Sequence, residues 1–430
     1  MQQNRFFPIT PYQRNQVLAA ALDPDTSPRF HHHNTLCWAI RVKPGIVPRQ
    51  LQRAFSKLTA RHDSLRLRIV NGPQDWAAEI QATHPTGVII EDHGDMSPED
   101  QVAVLTKICD APILAVDPVL FDMRLLRFGT GGDVILTRAQ HAIIDSYSVA
   151  IVLEDLIKFA LNLPVMGKAP SHGDFVSRRE RLARKNAADK QAYWENALLP
   201  HPPPLNLGRQ KKALPPLTRR TMGPTCDVED ILTPDASRHL AQRAEATGIS
   251  AFAQIKAAFG DAVCDMGGQE ETAWFSVLGR KDAALSTFVG AEMQALRVKY
   301  RAGSGAEAVQ RSLSSGAEMM PSTAFDPSGP MGQLYHQFFL NIPNPTGRLS
   351  NSPFRKVFEA ATSGGFSVGS FSFERVHIPR ERQANHELMV QFHPDAGTPQ
   401  ASVVSDAAAW DLSEVETFVD VLNQKILAQS

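Results

Sequence analysis

Little in the 430-residue chain favours one sign of charge, a redox chemistry or a bilayer. Lys and Arg number 44 against 45 Asp and Glu, so the formal charge is −1. That leaves no global field to hold nucleic acid or an anionic membrane. Only four cysteines occur, Cys37, Cys109, Cys226 and Cys264, and none forms a CxxC or other metal-ligand spacing. In a chain this long they read as small buried hydrophobes in a reducing compartment. No apolar run reaches the ~18 residues of a spanning helix. The opening residues, MQQNRFFPITPYQ, lack the apolar core of a signal peptide. A cytoplasmic protein without nucleic-acid or membrane partners is expected. A Walker A loop and a strand-linked GxGxxG are also missing, which argues against the common nucleotide-binding folds, and the one GxSxG match, Gly365–Gly369, lies among strand-like residues and not at a strand-to-helix elbow.

What is present is ordinary globular composition, 43% apolar and 21% charged. The length exceeds what one hydrophobic core usually supports, so two domains are expected. Thirty prolines and 27 glycines punctuate the chain, most densely over 198–217, LLPHPPPLNLGRQKKALPPL. Proline runs favour extended backbone and break helices, which places a linker there. We divide the chain into an N-terminal lobe over 1–175, a helix and basic linker over 176–220, and a C-terminal lobe over 221–430. From Ser177 to Arg220 there are eleven Lys/Arg against three Asp/Glu, a local charge of +8 inside a neutral total. A solvated helix and linker explains this band, and an acidic partner is the alternative.

Both halves mix helix and strand patterns. After Pro48, Leu51, Phe55 and Leu58 recur at helical spacing, and Leu65, Leu67 and Ile69 then alternate with arginines as in a half-buried strand. DVILTRA (133–139) reads as a strand, and a helix from about Tyr147 carries Val149, Val152, Leu153, Leu156 and Ala160 on one stripe. A single helix is expected over 174–199. Thr233-Pro234 and Gly248 bracket another, Ser250 opens the next, and Asp411 precedes the last. Strands are expected within 366–378 and 387–392. The fold class is α/β or α+β with substantial antiparallel content.

One loop carries chemistry. Gln140-His141-Ala142-Ile143-Ile144-Asp145-Ser146 joins the strand ending at Ala139 to the helix that follows, and it contains the chain's one HxxxD pair, His141 and Asp145. Imidazole takes and returns a proton near neutral pH. A strand end feeding a helix is a rigid support for such a group. The alternative is a hydrogen-bonded structural histidine beside a helix cap.

In order along the chain, ITPYQRNQVL, LQRAFSKLTARHDSLRLRI, QHAIIDSYS, QAYWENAL, GISAFAQIKAAF, LGRKDAALSTFVGAEMQALRV and VVSDAAAWDLSEVETFVDVL resemble the segments of nonribosomal peptide synthetase condensation domains. These belong to the superfamily of chloramphenicol acetyltransferase and other HHxxxD acyltransferases. The resemblance covers nearly the whole chain. It implies two acyltransferase-like lobes set as a V-shaped pseudo-dimer with a central tunnel. It implies transfer of an acyl, polyketide or peptidyl group from a phosphopantetheine thioester on a separate carrier protein to an amine or hydroxyl acceptor. No bound cofactor and no metal are implied, and a free-standing monomer is expected. His141 takes the place of the general base or positioning histidine. Asp145 takes that of the structural aspartate, with Arg280 as its expected partner and Arg61 and Arg66 as alternatives.

Two positions depart from the family pattern. Gln140 replaces the first motif histidine, where its amide can still support the loop. Ser146 replaces the motif glycine, where it narrows the tunnel or caps the following helix. Ser148 is expected to supply a second cap or an oxyanion contact. These departures leave open a non-catalytic recruitment domain. A coenzyme-A-dependent acyltransferase and an epimerising relative are further readings. Ser363-Gly364-Gly365-Phe366-Ser367 imitates a phosphopantetheine attachment site but sits among strand-like residues. His31-His32-His33 lacks accompanying carboxylates, and His62 is expected to be structural.

Overall fold

A computed structural model describes residues 4–20, 34–73, 75–185, 187–198, 202–203, 205, 207, 224–278, 283–292, 294–318, 338–341, 365–379, 386–393 and 399–429. In chain order the first part runs β1 (Arg5–Pro8), α1 (Pro11–Ala20), β2 (Thr35–Lys43), α2 (Pro48–Arg61), β3 (Leu67–Asn71), β4 (Trp76–Ile80), β5 (Ile89–Asp92), α3 (Pro98–Asp110), β6 (Phe121–Arg127), β7 (Asp133–Gln140), α4 (Ser146–Ala160), α5 (His172–Arg184) and α6 (Ala187–Leu198). There follow β8 (Thr225–Val228), α7 (Pro234–Thr247), α8 (Ala251–Gly267), β9 (Glu271–Leu278), β10 (Gln294–Arg301), α9 (Gly305–Glu318), β11 (Phe338–Asn341), β12 (Gly365–Val368), β13 (Phe371–Val376), β14 (Leu388–His393), β15 (Gln400–Asp406) and α10 (Leu412–Leu427).

The fold is mixed α/β in two lobes. The first comprises Met1–Arg181, Arg280–Met293 and Pro345–Arg380, and the second comprises Leu182–Gly279, Gln294–Asn344 and Glu381–Ser430. Each lobe holds a six-stranded sheet. The first is ordered β12-β13-β2-β7-β6-β5 and the second β10-β9-β11-β14-β15-β8, with a separate β1-β4-β3 sheet in the first lobe. In the second sheet β11 lies parallel to both β9 and β14, while its other pairs are antiparallel.

The first lobe is not contiguous in sequence. Two segments of the expected C-terminal lobe, 221–430, pack within it. Strand β13 pairs with β2, from Ser372 opposite Lys43 to Val376 opposite Ala39. Phe373 and Val289 are each 2% exposed in the first lobe's core, and Phe288 stacks on Phe175 at 4.5 Å. Burying a phenylalanine contributes about 1.5–3 kcal/mol, so these segments are anchored by apolar burial as well as by the ladder.

Local chemistry explains most element ends. Thr233 caps α7, Ser250 caps α8 and Asp411 caps α10 in a full capping box. Gly248 ends α7 in the left-handed conformation that glycine adopts without a Cβ penalty. The expected helix over 174–199 is instead two helices, α5 and α6, separated at residues 185–186. Leu65 and Arg66 fall in a short 3-10 turn, and the strand begins at Leu67. The imitation attachment site enters β12, since Gly365-Phe366-Ser367 pairs with β13. Residues 31–33 lie outside the described residues.

Candidate active site

Strand β7 is central in its sheet, between β2 and β6, and buried along its whole length. Its C-terminal end carries Gln140, and the next five residues turn into α4. Each turn of this loop is tied down. The Gln140 N–H donates to Leu120 O at 2.8 Å and the His141 N–H to Asn34 O at 2.7 Å. The Gln140 side chain accepts the Ala142 N–H through Oε1. Gln140 thus braces the loop with an acceptor that an amide supplies.

A second tie comes from the N-terminus. Thr10 and Gln13 bracket the start of α1 reciprocally: the Thr10 N–H donates to Gln13 Oε1 at 2.9 Å, and the Gln13 N–H to Thr10 Oγ1 at 3.2 Å. With its oxygen so fixed, Gln13 Nε2 donates to Ala142 O at 3.1 Å. The neighbouring Tyr12 ring meets His141 edge-on, with centroids 5.4 Å apart. Burial, and then the charge of Asp145, raise the Tyr12 hydroxyl pKa, so it stays protonated.

Asp145 caps α4. Its Oδ1 accepts the Ser148 N–H at 2.8 Å and the Ser148 hydroxyl at 2.7 Å, and its Oδ2 accepts the Glu292 N–H at 3.1 Å. Ser148 is fully buried, and its Oγ also lies 2.9 Å from Gly290 O and accepts the Gly290 N–H at 3.0 Å. This hydroxyl therefore ties the motif to the 283–292 segment. Ser146 is the first residue of α4, with the cap at Asp145, so its expected capping role falls to its neighbour. Its φ is not positive, so the position does not require glycine's backbone freedom.

The expected arginine partners separate. Arg280 lies outside the described residues. Arg61 pairs with Asp155 at 2.9 Å and donates to Gly167 O at 2.8 Å. Arg66 donates to the carbonyls of Thr59 at 2.7 Å and Ala82 at 3.1 Å. Neither contacts Asp145. Arg61 acts instead with His62, whose Nε2 is 2.8 Å from the same Asp155 oxygen. Burial works against the Asp155 carboxylate, but the bonds and charge of His62 and Arg61 hold its pKa below the usual value. The Arg61-His62 pair thus pins α4 to α2 one face away from the motif, and His62 is structural.

His141 is 9% exposed. Its Nδ1 is sealed from solvent and makes no hydrogen bond among the described residues. Burial lowers the imidazole pKa, and the backbone of His141 and Ile144 and the charge of Asp145 only partly oppose it. At neutral pH the ring is therefore a neutral base. Among the described residues no group of three His, Cys, Asp or Glu is placed to hold a metal.

Sequence reading had singled out neither Tyr12, Gln13 and Asp155 nor the Gly290–Glu292 stretch. The Thr-x-x-Gln spacing signals the first helix start, but no sequence pattern announces that the start abuts the motif loop.

A histidine at a central strand end, a capped helix after it and two six-stranded α/β lobes are the architecture of condensation-domain structures. The condensation-domain family model matches residues 3–429, and the chain belongs to that family. Tyrocidine synthase 3 of Brevibacillus parabrevis is 25% identical over 256 residues, which is 59% of this chain and 4% of that protein. The chain thus spans a small fraction of the curated relatives it matches. The X-domain from teicoplanin biosynthesis superposes with a TM-score of 0.77 at 16% identity, covering 100% of this chain and 97% of that one. SgcC5 of Streptomyces globisporus gives 0.74 at 15% identity, covering 98% and 99%. No described helix is long and apolar enough to cross a membrane.

Proposed function

We propose that the chain transfers an acyl, polyketide or peptidyl group from a phosphopantetheine thioester on a separate carrier protein to an amine or hydroxyl acceptor. The product is an amide or an ester. The observation that carries this reading is His141, a neutral buried imidazole in a loop held from four sides. Nε2 takes or orients the acceptor proton as the acceptor attacks the thioester carbonyl. The tetrahedral adduct then expels the carrier thiolate, which receives that proton. Gln140, Asp145 and Ser148 keep the loop in place, and Ser146 narrows the space beside it. Much of the rate comes from juxtaposing two bound reactants, and no metal or redox cofactor takes part. Membership of a family found in peptide synthetases supports the carrier as donor.

Product formation from an acylated carrier and an acceptor tests this directly. It is expected to disappear in His141→Ala, and full activity in that variant overturns the base and positioning roles alike. Turnover of the same acyl group on coenzyme A alone points to a coenzyme-A-dependent enzyme instead. Exchange of deuterium at an α-carbon points to epimerisation. The substitutions at Gln140 and Ser146 favour a second reading, a domain that recruits partners without turnover. Tight carrier binding with no transfer of any acyl group supports it.

A further inference from the structure

We infer that the first lobe holds a binding site for an amphipathic anion, a carboxylate or phosphate head on an apolar body, in the cleft where Arg66 and Lys168 face Phe159 and Ile80. The cleft has a volume of about 1000 Å³ and is lined by residues of β1, the end of α2, β4, α4 and the 165–174 segment. That size suits a small ligand of drug-like dimensions.

Its charges do not cancel. Arg5 is answered by Asp63 at 3.0 Å, and Arg61 by Asp155 at 2.9 Å. Asp63 is further engaged by the His172 N–H at 2.9 Å. Arg66 is half-buried, yet its Nε and Nη1 donate only to backbone carbonyls of Thr59, Gln81 and Ala82. Among the described residues no carboxylate forms an ion pair with it, and its Nη2 engages nothing. Asp63 is the one carboxylate whose charge reaches Arg66, and it is already shared with Arg5; a guanidinium taken partly out of water with no ion pair of its own favours an anion, and its free edge suits two oxygens at once. Lys168 is exposed at the rim and has no ion pair among the described residues. Asp174, the one acid beside it, spends one carboxylate oxygen on the Ser171 N–H and hydroxyl.

Two features extend the site. Buried Ile80 and part-buried Phe159 and Val165 give the cleft an apolar wall. An adjoining cavity of about 460 Å³ shares Lys168 and Asp174 and is also lined by Arg178 and Arg181 of α5. Carboxylate and phosphate heads satisfy the same donors.

Isothermal titration of the full chain with octyl phosphate, octanoate, octanol and inorganic phosphate tests the site and separates the two heads. One equivalent of either octyl anion is expected to bind, with octanol and inorganic phosphate each at least about tenfold weaker. Lys168→Glu, an exposed change outside the transfer machinery, is expected to weaken both anions about tenfold. Arg66→Met is expected to abolish binding, with circular dichroism reporting whether the lost carbonyl bonds disturb the fold. Octanol binding as tightly as octyl phosphate, no binding of either anion, or an unchanged affinity in Lys168→Glu overturns the inference.

Discussion

Asp145→Ala removes three hydrogen bonds together, those from the Ser148 N–H, the Ser148 hydroxyl and the Glu292 N–H. Loss of a helix N-cap costs about 1 kcal/mol and up to ~2. The Ser148 hydroxyl can turn fully to Gly290 O, which lies 2.9 Å away. The part-buried Glu292 N–H loses a hydrogen bond to a charged group, which costs about 1.5–3 kcal/mol. The expected loss is at least ~2–5 kcal/mol, a large part of a typical stability of about 5–15 kcal/mol. Asp145→Ser separates the two contributions. Serine caps helices well but has one oxygen, so it restores ~1 kcal/mol without restoring the bond to the Glu292 N–H. Urea titration followed by hydrogen exchange, peptide by peptide, is the suitable assay, because it reads the two lobes separately. Protection is expected to fall in α4 and around Glu292, with α8 and α10 unchanged. Wild-type protection at Glu292 in Asp145→Ala refutes the reasoning, as does an equal loss in the second lobe.

Further outcomes follow from other buried groups. His141 has a pKa below its ordinary 6.5, chiefly through burial, so it stays neutral as pH falls to 6.5. Stability linked to this ring is full above the unfolded value and is lost as pH falls through the folded one. The acid limb of acyl transfer is likewise expected below pH 6.5, and a limb at or above that value in a pH-rate profile contradicts the assignment. Lys256, fully buried, bonds to the Ser276 hydroxyl and sits 3.5 Å from the Phe252 ring centroid, and burial lowers its pKa well below 10.5. Between those two pKa values the unfolded chain binds more protons, so the second lobe loses stability as pH falls from about 10. Lys256→Met is expected to remove that slope and to stabilise the lobe by about 1 kcal/mol or more at pH 7; parallel denaturation midpoints for the two proteins at pH 7 and 10 refute it. Gly260→Ala ordinarily gains about 1 kcal/mol of helix propensity. Here its Cβ would lie 2.3 Å from the Tyr300 ring, so a net loss of ~1–3 kcal/mol in thermal unfolding is expected, and a gain in melting temperature contradicts the packing argument.

Local signals were the legible ones. Strand β7, the helix start after it, and the caps at Thr233, Ser250 and Asp411 follow from patterns within a few residues. The loop carrying His141 was legible for the same reason. Long-range pairings were not. FSVGSFSFERVHI reads correctly as strands, but nothing in its alternation says that β13 completes the sheet of the other half through β2. Alternation fixes which residues face a core and leaves open which core. The split of α5 from α6 was missed because their helix-forming composition runs through the break. Arg61 and Arg66 were offered to Asp145 because charge alone does not choose among carboxylates. Asp155, one face along the same helix, takes Arg61 with better geometry.

The two departures in the motif can now be weighed by what each position asks of its residue. Position 140 asks for an acceptor directed back at the Ala142 N–H, and a glutamine amide oxygen meets that as well as an imidazole nitrogen does. Position 146 asks for a helical first residue after an aspartate cap, and serine meets that without positive φ. Neither substitution touches the bonds that hold His141, which come from Asn34, Gln13 through Ala142, and the Asp145 cap. The supports of His141 therefore survive both changes. What Ser146 adds is one hydroxymethyl group beside the loop, in a half-buried position. Its consequence is steric, and falls on the choice of substrate before it falls on the chemistry. Ser146→Gly is accordingly expected to broaden the range of acyl donors and acceptors accepted in a competition assay while the pH-rate profile stays fixed. A shifted profile with an unchanged range would place the serine in the proton chemistry instead.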